Sequence, residues 1–92
     1  MFLVNAIILI VKEIKMDKTL DKISQGKFLK ITKLPTGDIK SQLIRLGLSE
    51  GDKLKCTHKL PGGTIVVKKN RQEIAIGFDL AKKIKIHELN EL

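Results

Sequence analysis

LIRLGLSEGDKL, Leu43–Leu54, changes character halfway along. Its first half spaces apolar residues as a helix does, its second half opens an alternating pattern, and Gly47 and Gly51 mark the change. At about 100° per residue, Ile39, Leu43 and Leu46 fall on one stripe, with Lys40, Ser41 and Arg45 elsewhere and Ile44 at the margin. Asp38 is placed to cap this helix by accepting bonds from its first-turn amides. So short a helix does not persist alone in water and must pack onto something. Gly47 stands where a left-handed cap residue is needed, and Leu48 can fold back onto Leu43 in a Schellman closure. Ser49, Glu50 and Gly51 then make a tight turn into a strand predicted over Lys53–Lys59, with Leu54, Cys56 and His58 sharing a face.

Outward from this pivot the pattern is strand and turn. TLDKISQG is a lead-in with a turn at Gln25–Gly26, followed by a strand over Lys27–Leu34 that Pro35 ends. There Leu29 and Ile31 share one face and Lys30 takes the other. Downstream, Pro61, Gly62 and Gly63 turn the chain into a strand over Thr64–Lys69, and KNRQE reads as a polar hairpin turn. EIAIGF reads as a strand with Ile74 and Ile76 inward. DLAKKIKIHEL makes one helical or 3₁₀ turn and a last strand, with Ile84 and Ile86 inward and His87 opposite. The expected fold is mainly β: a small, partly open, five-stranded SH3-like barrel with one short α-helix between its first and second strands.

A chain of 92 residues supports one small core. Its single cysteine, Cys56, excludes an intramolecular disulfide and fits a reducing cytoplasm. Lys and Arg outnumber Asp and Glu by 18 to 10, so polyanions, anionic membrane surfaces and acidic protein faces all attract it. Lys27, Lys30, Lys33, Lys53, Lys55, Lys68, Lys69, Lys82, Lys83 and Lys85 are scattered as solvent-facing positions of alternating strands are. The only aromatic residues are Phe2, Phe28 and Phe78, so the stacking platforms that hold single-stranded nucleic acid or proline-rich peptides are missing.

MFLVNAIILIVKEIK opens with about ten mostly apolar residues. That is too few to span a bilayer, which takes about twenty, and the basic start and cleavage site of a secretory signal are lacking. An extra packed element, a partner-binding arm and sequence upstream of a true start at Met16 all fit. Residues 1–15 are expected to be an appendage, with residues 16–92 forming the domain and no direct membrane insertion. Self-association through the apolar start stays open.

No enzyme chemistry is expected. Cys56 and His58 are the one nucleophile and base pair close in sequence, but their spacing sets them side by side along a strand. Cys56 suits a small core position. Cys56, His58 and His87 are the available soft and borderline metal ligands, too few and wrongly spaced for a metal site. Gly62 and Gly63 lack the Lys-Ser/Thr and helix start of a phosphate cradle and read as a turn. Neither cofactor nor metal is expected. What remains is partner binding, on a mixed apolar and basic strip of Lys40, Ile44, Arg45 and Leu48.

LDKISQGKFLKITKL, LIRLGLSEGDKLK and PGGTIVVKKNRQEIAIGFDLAKKIKI together resemble the ferrous iron transport protein A (FeoA) family over Leu20 to Leu89. The leucine-rich helix end followed by Gly-Leu-x-x-Gly is the most specific part. Two departures stand out: the residues before Met16, and a basic helix represented only by Lys40 and Arg45. The resemblance implies an SH3-like barrel and a non-enzymatic, cytoplasmic accessory of bacterial ferrous iron uptake. It would dock on the cytoplasmic portion of the membrane transporter FeoB. Two alternatives are a basic nucleic-acid-binding barrel and a stand-alone regulatory domain like that of iron-dependent repressors; the first loses binding steeply with salt, and the second lacks a helix-turn-helix segment.

Overall fold

Alternating aliphatic and polar residues over most of the chain build a single antiparallel sheet in the computed structural model, which describes residues 17–90. The expected appendage of residues 1–15, and the question of Met1 or Met16 as start, lie outside the described residues. In chain order the elements are β1 (Lys18–Thr19), a 3₁₀ turn (Leu20–Lys22), β2 (Phe28–Lys33), α1 (Asp38–Arg45), β3 (Lys53–Lys59), β4 (Ile65–Lys69), β5 (Gln72–Ile76), α2 (Phe78–Ala81) and β6 (Lys85–Leu89). The spatial order is β1-β6-β2-β3-β4-β5.

Six strands replace the expected five. The additional one, β1, was read as lead-in because two residues are too few to show a period. It exists through pairing: Lys18 is opposite Ile86 and Thr19 opposite Lys85, and the Leu20 amide donates to the Ile84 carbonyl at 2.9 Å. The first helix therefore lies between β2 and β3. Among the described residues no pairing joins β5 to β1, so the ladder is an open, roughly SH3-like sheet and not a closed barrel. Gln72, read as turn, joins the expected strand residue Glu73 in β5, and Asn70–Arg71 alone make the turn, with Asn70 at φ 55°.

One core unites the elements. Leu29 and Ile31 of β2, Leu54 and Cys56 of β3, Ile65 and Val67 of β4 and Ile86 of β6 are fully buried, joined by Leu20 and Ile23 from the lead-in and by Leu43 and Leu48 around the first helix. The core contains no buried charged residue among those described, so it rests on aliphatic packing.

Register breaks at one place that matters for the site. β3 and β4 pair as Cys56↔Val67 and then His58↔Val66, so a bulge inserts Thr57. The extra residue breaks the alternation, and His58, expected to share the inward face of Leu54 and Cys56, is exposed. Thr57 fills the bulge by donating its hydroxyl to the Val66 carbonyl at 3.2 Å.

Candidate functional site

The first helix starts on backbone chemistry. Gly37, at φ 84°, is the N-cap residue, and its carbonyl accepts from the Lys40 and Ser41 amides at 3.0 and 3.4 Å. Asp38, expected to be the cap, is the first helical residue and makes no capping bond; its carboxylate still favours the positive end of the helix. The far end closes as the sequence predicts. The Leu48 amide donates to the Leu43 carbonyl at 3.0 Å and the Gly47 amide to the Ile44 carbonyl at 2.9 Å, the two bonds of a Schellman motif. Gly47 holds φ 99°, a conformation that a side chain would strain.

A lysine then ties this closure to the sheet. Lys69 Nζ donates to the Gly47 carbonyl at 2.7 Å and to Asp52 Oδ2 at 2.9 Å, while the same carboxylate oxygen accepts the Ser49 amide at 2.8 Å. Lys69, read as a solvent-facing strand lysine, is half-buried for this reason. Gly51, Gly62 and Gly63 hold positive φ as well, as does Gly26.

The helix so fixed presents a mixed surface. Ile44 is 50% and Leu46 47% exposed. Leu46 was expected inward with Leu43; it is the C-cap residue, where the chain leaves the helical rise, and it faces out. Arg45 is exposed, its Nε donating to the Ser41 carbonyl at 3.4 Å, and Lys40 pairs with Glu50 at 3.1 Å. Leu48 is fully buried, so it supports this strip from beneath and does not present a contact to a partner.

Beside the strip runs an open groove of about 510 Å³, walled by Leu43 and Leu46 on one side and by Ala75, Ile76, Phe78 and Leu80 on the other. Phe78 is 43% exposed and lies directly over Gly63, where a Cβ would come within 2.7 Å of its ring. Lys82 Nζ sits 5.5 Å from the ring centroid. Phe78, expected at the end of the EIAIGF strand, instead opens α2, and its place in a groove has no counterpart in the sequence. Phe78 lies 15 positions from Gly63 in the sequence, so only the fold brings it over that turn and opposite Leu46.

The reactive residue types do not converge. Cys56 is fully buried, and burial raises its thiol pKa, offset in part by the Lys59 charge and by a contact with the His58 carbonyl at 3.6 Å. His58 points outward, its Nδ1 3.2 Å from the Thr57 hydroxyl. His87 is half-buried on β6, bonded through Nε2 to the Asp17 carboxylate. No group of three or more His, Cys, Asp or Glu residues able to hold a metal ion is assembled among the described residues. No described helix is long and apolar enough to cross a membrane.

The comparisons with known proteins agree with this architecture. A crystal structure described as iron uptake regulatory protein (FeoA) superposes with a TM-score of 0.70 at 22% identity, covering 82% of this chain and 100% of that one. The solution structure of a FeoA protein from Chlorobium tepidum gives 0.68 at 27% identity, covering 77% and 70%. The metal-dependent transcriptional regulator MtsR gives 0.73 at 19% identity over 83% of this chain, which spans only 37% of the regulator. No curated protein matches the chain. The FeoA domain model matches residues 18–88, which takes in every strand and both helices except Leu89 at the end of β6, and the chain therefore belongs to the FeoA domain family, whose members are associated with ferrous iron transport.

Proposed function

We propose that the protein is a non-enzymatic accessory of bacterial ferrous iron uptake that docks on the cytoplasmic portion of the membrane ferrous iron transporter. One observation carries the reading: a rigidly closed helix offers two large aliphatic side chains, Ile44 and Leu46, to solvent beside an apolar groove, with Arg45 and Lys40 at the rim. Apolar anchors within a polar, charged rim are how interfaces between proteins are built. The family adds the direction, since relatives are described by iron(II) transport. The reactive residues are consistent with the same reading, because Cys56 is locked in the core while the rings of His58, exposed on β3, and His87, half-buried on β6, do not converge on it.

The experiment is a pull-down of this chain by the transporter's cytoplasmic portion, comparing the native protein with Ile44→Ser/Arg45→Glu and with Leu46→Ser/Phe78→Ser. The expected result is loss of capture with an unchanged circular dichroism spectrum. Capture undiminished in both variants rejects this surface, and no capture of the native chain rejects the partner.

A further inference from the structure

The outer face of the sheet carries a cluster that the reading above leaves unused. Residues directly opposite in an antiparallel ladder project from the same side. Lys30 is opposite Lys53, and Lys55 is opposite both Phe28 and Lys68, so these lysines share one face across β2, β3 and β4. All four are exposed. Among the described residues, the carboxylate partners go to Lys18, Lys40, Lys69, Lys82 and His87, and none goes to these four. Like charges set directly opposite destabilise a sheet, and here two such pairs are adjacent; Glu73 of β5 also stands opposite Lys68, but it makes no ion pair with it and the lysines outnumber it four to one. A surface that keeps this repulsion is built for an anionic partner.

Two further observations select the partner's chemistry. The face is made of lysines without arginine, and its one aromatic ring, Phe28, is covered by Lys55 Nζ at 5.5 Å. It therefore lacks both the bidentate forks that read base edges and the stacking platform that holds single strands. Point charges on flexible stems instead suit the diffuse field of phosphate headgroups. The second observation is where the chain joins the fold: Asp17 is bonded to His87, which stands opposite Lys30 at the rim of the lysine face. In the sequence the apolar run FLVNAIILIV, Phe2–Val11, is separated from Asp17 by five residues. An apolar stretch of sequence and a polybasic face in one chain are the two kinds of signal that peripheral membrane attachment combines.

We propose that the face formed by Lys30, Lys53, Lys55 and Lys68 rests on an anionic phospholipid surface. Its test is independent of the transporter: the full chain is sedimented with vesicles of phosphatidylcholine alone and of phosphatidylcholine with phosphatidylglycerol. Binding is expected only to the second, falling as salt is raised because the Debye length shortens to about 10 Å at 0.1 M. Replacing the four lysines by Gln should lower the partition coefficient on the order of a hundredfold or more. The charge-matched change of Lys22, Lys40, Lys82 and Lys83 to Gln should leave most of it. The doubles Lys30→Gln/Lys53→Gln and Lys55→Gln/Lys68→Gln should each give an intermediate loss, which keeps the test readable if the quadruple variant folds poorly. No binding of the native chain to the anionic vesicles overturns the proposal, as does equal loss in the face and control variants. Binding of RNA or duplex DNA through the same lysines, with vesicles left unbound, also overturns it.

Discussion

The ammonium group of Lys69 lies 2.7 Å from the carbonyl oxygen of Gly47, joining the end of β4 to the closure of the first helix across 22 positions of sequence. Gly47 is the residue whose left-handed backbone turns the chain, and Asp52, the other partner of Lys69, anchors the turn that follows. The helix that presents Ile44 and Leu46 is thus fastened to the sheet by a charged tie as well as by Leu43 and Leu48 beneath it.

Lys69→Met keeps the stem and removes the charge. With the pair only partly shielded from solvent, a loss of about 1–2 kcal/mol is expected, read as a drop of roughly 4–16 °C in a thermal melt of so small a domain. Asp52→Asn should cost less, because the amide oxygen can still accept from Lys69. Melting of Lys69→Met at the native temperature would show that the tie contributes nothing.

Gly47→Ala forces a side chain into a conformation that costs about 1–2 kcal/mol in L-residues. Since Gln72 Oε1 and Ile74 Cδ1 stand at 3.7 and 3.9 Å from the position of the new methyl, the space is sufficient and the penalty is conformational. Urea titration should show a lower midpoint with an unchanged slope; a midpoint equal to the native one would remove the argument for a glycine here.

Neighbouring positions on one helix should behave oppositely. Leu43→Ala opens a void in a fully packed core and should cost about 2–5 kcal/mol. Ile44→Ser and Leu46→Ser act on exposed side chains and should stay within about 0.5 kcal/mol of native. Destabilisation of the serine variants as large as that of Leu43→Ala would mean the strip is core and not surface.

Cys56 links stability to pH. Burial holds the folded thiol's pKa above its unfolded value, so the folded state keeps a proton that the unfolded chain releases. The contribution is complete below the ordinary thiol pKa of about 8.5 and is lost as pH rises toward the folded pKa. Chemical denaturation from pH 7 upward should show stability falling past that point in the native chain, with a shallower fall in Cys56→Val. Identical profiles would place the alkaline loss elsewhere. Alkylation by iodoacetamide should likewise be slow until the protein unfolds.

Gly63→Ala sets a methyl against the Phe78 ring at 2.7 Å while straining a backbone held at φ 93°. The ring must move and the groove wall with it, so capture by the transporter portion should weaken along with stability, whereas Gly26→Ala, which meets no atom within 4 Å and lies outside the groove, should affect stability alone. Equal capture by both variants would exclude Phe78 as part of the docking surface.

What the sequence determined is whatever depends on neighbours along the chain. The Schellman closure at Gly47, the turn at Gly51, the Pro-Gly-Gly turn and the inward aliphatic residues of the longer strands follow from periodicity and from glycine's backbone freedom, and the structure has them. The family was legible only as a resemblance, carried by the Gly-Leu-x-x-Gly segment and the motifs that flank it. The tertiary structure alone decided what depends on cross-strand partners. It made Lys18–Thr19 a strand, inserted the bulge that turned His58 outward, drew Lys69 away from solvent to Gly47, and set Phe78 across a groove from Leu46. It also aligned Lys30 with Lys53 and Lys55 with Lys68, lysines that look evenly scattered when read in order. Local spacing encodes which way a side chain points within its own strand; which residue it then faces is settled by register, an energy shared between segments far apart in the chain.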